Sequence, residues 1–215
     1  ALEMKFIRYK TKTNKAKYGI LENTNLIQEI TDNPFSNFAT TNTTHMIDNV
    51  SILPPVTPSK IICVGLNYLS HIKEMGLAIP KSPMLFMKPL TTLIGPEDPI
   101  VYPKIGQKVE YEAELTVVIG KPTRHVSELD ALNYVLGYTC ANDVSERVFQ
   151  MQEMKSGTML IGKGFDSFCP LGPVIETNLN PDNVYVKARL NGKEKQNGNT
   201  SDLLFSAAKL VSYIS

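Results

Sequence analysis

The sequence predicts a β-rich α+β fold. Short strand-like runs outnumber helical ones, and the order of elements mixes hairpins with helices instead of repeating a strict βαβα alternation. Residues 111–119 alternate in the manner of a half-buried strand. The pair Asn191-Gly192 suits the two positive-φ positions of a type I′ turn and predicts a hairpin. Apolar residues recur at helical spacing only over short segments, such as 203–214.

Residues 4–53 differ in composition from the rest of the chain. They are rich in Asn and Thr, contain short strand-like runs, and end at the proline-rich linker 53–58. We therefore place a small N-terminal β-rich domain with its linker at 1–58 and a second domain at 59–215. The other elements expected, in chain order, are a buried strand at 60–64, a helix at 68–75 closed by Gly76, a helix at 126–135, a buried strand at 138–141 and a strand at 184–190.

Composition and charge exclude several classes of protein. The 215 residues carry 22 basic and 21 acidic side chains, a formal charge of +1, which lacks the electrostatic footprint of a nucleic-acid binder. No apolar run approaches the roughly 18 residues of a membrane span, so we expect no membrane partner. The chain has three cysteines and no C-x-x-C pair among them: Cys63, Cys140 and Cys169. We therefore expect no disulfide framework and a location in the reducing cytoplasm. The eight methionines are scattered along the chain without a pattern.

Two glutamates on the strand 111–119 are the first candidates for chemistry. Residues i and i+2 of a strand share a face, with Cα atoms about 6.5 to 7 Å apart, so Glu112 and Glu114 point the same way. A cation between them favours such a pair, but a solvated outer face has the same pattern. Asp143 follows the strand 138–141. Beside the glutamates it would complete an oxygen-only set suited to Mg²⁺ or Mn²⁺, whereas by itself it suits a helix N-cap.

A histidine and a lysine are the next candidates. On a helix, His71 and Glu74 lie side by side at i and i+3, so the carboxylate can hold the imidazole in one tautomer for use as a general base. An exposed His–Glu pair without a function has the same pattern. Lys163 lies between two glycines, and its amine can neutralise a carboxylate or an oxyanion. The chain has neither a G-x-x-x-x-G-K-[ST] phosphate loop nor a G-x-S-x-G elbow.

Five segments form an ordered set of motifs: G-L-N-Y-L-S-H-I-K-E-M-G from Gly65, Y-E-A-E-L from Tyr111, Y-T-C-A-N-D-V-S from Tyr138, K-G-F-D-S-F-C-P-L-G from Lys163, and N-G from Asn191 followed by Q-N-G-N-T-S-D. This set resembles the fumarylacetoacetate hydrolase family and covers nearly all of residues 60–215. Within that family, the chain is most similar to the acylpyruvase and 2-hydroxyhepta-2,4-diene-1,7-dioate isomerase group. Five ordered blocks are a more specific signal than any one of them.

The resemblance implies a fold, a cofactor and roles for individual residues. It implies a mixed β-sandwich roll whose catalytic domain forms a homodimer, with Mg²⁺ or Mn²⁺ as the bound ion. The implied ligands of the ion are Glu112, Glu114 and Asp143. His71 and Glu74 would activate water on a segment that closes over the substrate, so we expect residues 68–80 to be poorly ordered or displaced without a ligand. Lys163 and Gln150 would contact the 2-oxo acid end of the substrate.

The activity implied by the resemblance is Mg²⁺-dependent hydrolysis of a C–C bond in acylpyruvate- or 2-hydroxydienedioate-type 2-oxo acids, through a metal-stabilised enolate. The same enolate would also serve a decarboxylase or an isomerase of related 2-oxo dicarboxylic acids. A catalytically inactive fragment is the other alternative, because family members continue with a G-T-P-x-G-V motif and this chain ends at Ser215. We therefore expect a catalytic domain that is incomplete at its C-terminus, with a small molecule as its partner.

Overall fold

The computed structural model describes residues 3–13 and 15–215. Its strands are β1 (Lys5–Lys10), β2 (Ala16–Glu22), β3 (Leu26–Ile30), β4 (Thr40–Met46), β5 (Ser51–Leu53), β6 (Ile61–Gly65), β7 (Met84–Lys88), β8 (Leu93–Ile94), β9 (Val109–Glu110), β10 (Ala113–Ile119), β11 (Val135–Asn142), β12 (Ser145–Glu146), β13 (Cys169–Glu176), β14 (Tyr185–Leu190) and β15 (Lys193–Asn199). Its helices are α1 (Leu69–Glu74), α2 (Arg147–Met154), α3 (Ile161–Gly164) and α4 (Ala207–Ile214), with 3₁₀ turns at Ile47–Asn49, Leu90–Thr92, Ala131–Tyr134 and Thr200–Asp202. The predicted β-rich α+β class is confirmed. No helix in the described part of the chain is both long and apolar enough to cross a bilayer.

One large sheet organises the molecule, with the strand order β10-β11-β13-β1-β2-β3-β4. β5 also pairs with β1, and β8 joins β13 as a parallel neighbour. Because β1 lies beside β13, with Phe6 opposite Ile175, strands from both sides of the linker share this sheet. The domain boundary at residue 58 stays a prediction.

The core lies on both faces of this sheet, because successive side chains of a strand point to opposite faces. On β1, Phe6 belongs to one cluster, while Ile7 and Tyr9 belong to another. The first cluster adds Ile30, Val118 and Ile175, and the second adds Ile27 and Ile52. A central position in the sheet therefore explains why β1 is buried on both faces.

Two expectations for local structure have different outcomes. The hairpin is confirmed, since β14 and β15 pair across Asn191 and Gly192, whose φ angles are 51° and 77°. The predicted helix at 126–135 is wrong: only a 3₁₀ turn forms, and β11 begins at Val135. The Ser127 hydroxyl donates to the Asp130 carboxylate at 2.6 Å, and the Asp130 amide donates back to the Ser127 hydroxyl at 3.2 Å. Such local hydrogen bonds compete with a helix for the same backbone.

Candidate functional site

The centre of the site is one ammonium group held between two carboxylates. Lys163 Nζ lies 2.8 Å from Glu112 Oε2 and 2.8 Å from Asp143 Oδ2. The lysine is only 2% exposed, so this contact is sheltered from water. The structure therefore brings together three of the residues singled out in the sequence.

Strand pairing explains why the two carboxylates meet. β10 and β11 are antiparallel, with Ala113 opposite Asn142. The pairing extends one step further, because the Asp143 amide donates to the Glu112 carbonyl at 2.8 Å. The Asn142 side chain also accepts from the Glu112 amide at 3.0 Å. Glu112 and Asp143 are thus fixed side by side by backbone geometry.

Glu114 lies in the same cluster but is neutralised least. No side chain or amide among residues 3–13 and 15–215 donates a hydrogen bond to its carboxylate. Burial and the neighbouring charges of Glu112 and Asp143 raise the pKa of Glu114 to about 8, and Lys163 offsets only part of that rise. A carboxylate in such surroundings gains most from a bound cation.

Two further cations surround the cluster, and sequence reasoning missed both. Lys88 ends β7 and is 2% exposed. Its ammonium donates hydrogen bonds to Asp143 Oδ1 and to the Val144 carbonyl. Although burial acts in the opposite direction, Lys88 and Lys163 hold the pKa of Asp143 below its ordinary value. A lysine at the end of the apolar run 84–88 was the signal available in the sequence.

Arg147, the second missed cation, opens α2. Its Nη1 donates to Glu112 Oε1 at 2.6 Å and to Gln150 Oε1 at 2.9 Å, and its Nε donates to Glu110 Oε2 at 2.8 Å. The Glu112 carboxylate is therefore held at one oxygen by Arg147 and at the other by Lys163. Gln150, the predicted substrate contact, lies one hydrogen bond from the cluster.

The three predicted ligands offer only carboxylate oxygens, which is the donor type that a hard divalent cation prefers. Across the described part of the chain, no three His, Cys, Asp or Glu side chains have the arrangement of a metal site. Lys163 spans two of the three carboxylates and supplies the positive charge. The ligand roles of Glu112, Glu114 and Asp143 stay predictions.

A cavity of about 1870 Å³ opens onto this cluster. His71 and Glu74 line it from α1, with His71 Nδ1 3.7 Å from Glu74 Oε2. Both side chains are exposed, at 59% and 82%. α1 is anchored by the fully buried Ile72 and by Ser70, whose amide donates to Asp202 at 2.9 Å. The predicted pair is thus present at the cavity wall, and movement of residues 68–80 stays a prediction.

Several methionines contribute to the apolar wall of the cavity. Five of the chain's eight methionines line it: Met75, Met84, Met151, Met154 and Met159. Gln150 Nε2 lies 3.4 Å from Met159 Sδ, which joins this wall to the polar cluster. A Cβ at Gly65 would lie 2.5 Å from Met84 Cε, so glycine there leaves room for the methionine. Unbranched, polarizable side chains of this kind adapt to apolar groups of varied shape.

Comparison with protein families gives two matches that together cover most of the chain. A family model described as "Fumarylacetoacetate (FAA) hydrolase C-terminal" matches residues 60–215. A second, described as "Rv2993c-like, N-terminal", matches residues 4–55. The first match contains every predicted site residue.

Individual relatives agree with this assignment. The mitochondrial oxaloacetate tautomerase of Xenopus laevis is 44% identical over 172 residues, which is 78% of this chain and 53% of that protein. The 5-carboxymethyl-2-hydroxymuconate delta-isomerase structure from Mycobacterium smegmatis is 37% identical with a TM-score of 0.88, covering 99% of this chain and 82% of the other. The 2-hydroxyhepta-2,4-diene-1,7-dioate isomerase structure from Mycobacterium marinum is 32% identical with a TM-score of 0.87, covering 99% and 81%. The chain spans between about half and two thirds of the length of the curated relatives it matches.

Proposed function

Because the chain belongs to the fumarylacetoacetate hydrolase family, we propose that it is an enzyme that forms an enolate from a 2-oxo acid at the cluster of Glu112, Glu114 and Asp143. One observation carries this proposal. Two carboxylates converge on the buried ammonium of Lys163, beside a third carboxylate to which the described residues donate no hydrogen bond. Paired opposite charges of this kind in a cavity are typical of sites where charge develops during a reaction.

The three carboxylates are the residues that would hold a divalent ion. Enzymes of this family generally use such ions, and an oxygen-only donor set favours Mg²⁺ or Mn²⁺. When bound, the ion would supply positive charge to the oxygens of a 2-oxo acid. Neighbouring cations compensate Glu114 least, so a bound ion would change the charge state of Glu114 most.

The chain's own residues orient the substrate and hold its charge. The ammonium of Lys163 donates to the carboxylate or enolate oxygen at the 2-oxo acid end, and Gln150 offers a second polar contact one hydrogen bond from Arg147. Beyond Gln150, the methionine wall receives the remainder of the substrate. An uncharged acyl group suits this wall better than a second carboxylate, which favours substrates of the acylpyruvate type.

Proton transfer between carbon and oxygen is the reaction we place first. Relatives of the chain carry the names tautomerase and isomerase, and such reactions need only the formation and reprotonation of an enolate. Hydrolysis of a C–C bond is the second candidate, favoured by the exposed His71–Glu74 pair on the cavity wall. There the imidazole would take a proton from water. Decarboxylation would use the same enolate without that base.

A panel of acylpyruvates, fumarylpyruvate and oxaloacetate tests these reactions. Enol absorbance reports tautomerisation and product analysis reports cleavage, each with Mg²⁺, with Mn²⁺ and with a chelator. We expect ion-dependent turnover of at least one acid. Turnover of none, with no ion-linked thermal shift, would contradict the proposed function and favour an inactive fragment.

Replacing His71 by alanine separates the two reactions. We expect His71→Ala to slow cleavage about 10²- to 10⁴-fold, the usual cost of removing a general base, while tautomerisation and ion binding persist. His125→Ala is the matched control, because His125 is exposed and does not line the cavity. Equal cleavage rates in wild type and His71→Ala would move the base to another residue.

Removal of the predicted ligands tests the ion site. Glu112→Ala, Glu114→Ala and Asp143→Ala should each abolish the rise in melting temperature that Mg²⁺ produces, because an ion that binds only the native state stabilises it by mass action. A shift equal to that of wild type in all three variants would contradict the site.

We also propose that the protein is a homodimer in a reducing, cytoplasmic compartment. Several large apolar side chains are exposed, including Val101, Ile105 and Met151 at 61%, 62% and 65%, and they are candidates for a surface that a second copy covers. All three cysteines are free thiols. Light scattering coupled to size exclusion should give twice the chain mass, and a monomer at micromolar concentration would contradict the dimer.

A further inference from the structure

Helix α2 presents three polar side chains to the site at a spacing of three residues. Arg147, Gln150 and Glu153 therefore lie near one another on the helix surface. Arg147 and Gln150 contact the cluster or the cavity, as described above. Glu153 has a different kind of partner, because its carboxylate faces backbone amides and not side chains.

The Glu153 carboxylate accepts hydrogen bonds from three consecutive amides. Oε1 accepts from Leu160 at 3.0 Å and from Ile161 at 2.7 Å, and Oε2 accepts from Gly162 at 2.8 Å. These amides open α3, where the first N–H groups have no partner within the helix. Lys163 is the next residue along the chain.

Close packing makes the position of Lys163 depend on this contact. A Cβ at Gly162 would lie 2.5 Å from the Gln150 amide nitrogen, so α3 is pressed against α2 with no room for a side chain. From there the Lys163 ammonium spans Glu112 and Asp143 at 2.8 Å. A small displacement of the three amides would therefore move the ammonium away from one carboxylate or both.

We propose that Glu153 is a positioning residue, whose carboxylate holds the amides of residues 160–162 and thereby fixes Lys163 between Glu112 and Asp143. The effect on turnover rests on the proposed function, since it assumes that Lys163 meets the 2-oxo acid end of a substrate. The effect on Lys163 itself does not. Among the described residues, the hydrogen-bond partners of the Glu153 carboxylate are the three amides alone, and Glu153 does not line the cavity.

Chemical labelling of lysine amines tests the geometry without any substrate. Trace acetylation with acetic anhydride, followed by peptide mass spectrometry, measures how fast each lysine reacts in the folded protein. We expect Glu153→Ala to raise the labelling rate of Lys163 at least tenfold, because its amine leaves a buried ion pair. Glu153→Gln retains one acceptor oxygen and should give an intermediate rate. Gln152→Ala is the matched control, since Gln152 is its exposed neighbour on the same helix.

Lys88 provides the internal reference for these rates. It is equally buried and contacts Asp143, but its backbone belongs to β7 and not to α3. Faster labelling of Lys163 with unchanged labelling of Lys88 supports the proposal. Unchanged labelling of Lys163 in Glu153→Ala, or an equal rise for both lysines, overturns it. Should Glu153→Ala fail to fold, the same comparison in Glu153→Gln decides the question.

Turnover and ion binding then separate this proposal from the proposed function. If the wild type turns over a 2-oxo acid, Glu153→Ala should lower kcat/KM about tenfold while the Mg²⁺-linked thermal shift persists, and Glu153→Gln should recover part of the loss. A wild-type rate in Glu153→Ala would overturn the proposal. If the wild type turns over no acid, the proposed function fails, whereas the labelling rates still decide the role of Glu153.

Discussion

Glu146 and Glu114 are both withdrawn from bulk water, yet their surroundings differ in kind. Glu146 is fully buried at the start of α2 and accepts from the amides of Gln107, Lys108 and Phe149 at 2.7 to 2.9 Å. Although burial alone would raise it, these amides hold the pKa of Glu146 below its ordinary value. Within the described part of the chain no donor reaches the Glu114 carboxylate, and its pKa is raised to about 8.

The contrast shows that donors, and not burial alone, decide what a sheltered carboxylate is for. By accepting these hydrogen bonds, the Glu146 carboxylate links the loop before β9 to the first turn of α2. This link places Arg147 beside Glu112. The carboxylate oxygens of Glu114 accept no hydrogen bond from the described residues, so its negative charge is stabilised only when a cation or another donor binds. The number of hydrogen-bond donors therefore separates these two glutamates, although both are sheltered.

The largest expected effect comes from breaking the structural half of this comparison. Glu146→Ala leaves three amides without an acceptor. Each unsatisfied amide costs roughly 1–3 kcal/mol when it is buried, and less where water reaches it. We therefore expect a loss of about 2–4 kcal/mol in the free energy of unfolding. Urea denaturation measures it. Glu128→Ala is the control, because Glu128 is exposed and pairs with Lys209 only at the surface, and it should cost under about 1 kcal/mol. Equal losses in the two variants would contradict the role given to Glu146.

A second effect, on the pH dependence of stability, should come from Glu114. In the unfolded chain Glu114 loses its proton near its ordinary pKa of 4.5, and in the folded protein near 8. Between those values the folded state binds more protons, so the stability of the ion-free protein should fall as pH rises from about 5 to 8. Glu114→Gln should remove that decline and be no less stable than wild type at pH 8. Unfolding curves at several pH values would contradict this if the slope survived in the variant.

The smallest effect is the release of a proton on ion binding. At pH 6.5 Glu114 is mostly protonated, and a carboxylic acid must ionise to become a ligand, so Mn²⁺ binding should release about one proton. Titration calorimetry in buffers of different ionisation enthalpy counts the protons. Glu112→Gln is the comparison, because Glu112 already has Arg147 and Lys163 as partners. Release from Glu114→Gln equal to that of wild type would contradict the assignment.

Sequence patterns predicted those parts of the site that depend on local geometry. The period of a strand placed Glu112 and Glu114 on one face, and the Asn191-Gly192 turn required only two adjacent residues. Lys88 was missed because nothing near it in sequence shows that Asp143 will lie beside it. The prediction of a helix at 126–135 was wrong because the apolar pattern takes no account of the side chains of Ser127 and Asp130. Their hydrogen bonds favour a tight turn over a helix.

Long-range pairing also limited what the sequence could reveal about Glu153. Its i+6 relation to Arg147 is visible in the printed sequence, but its three amide partners come from residues 160–162, after an irregular connection. Only the packing of α3 on α2, which the glycine at position 162 permits, brings them together. Such contacts follow from the fold and not from periodicity.

The pairing of β1 with β13 must wait until most of the chain has been synthesised. Phe6 can pair with β2 soon after it leaves the ribosome, but its partner on the other side, Ile175, arrives much later. At roughly 5–20 residues per second, the intervening segment takes on the order of 10 to 30 s to translate. Throughout that interval the nascent N-terminal sheet carries an open edge, available to other chains or to a chaperone. The emergence of β13 is therefore the event that covers the open edge of β1.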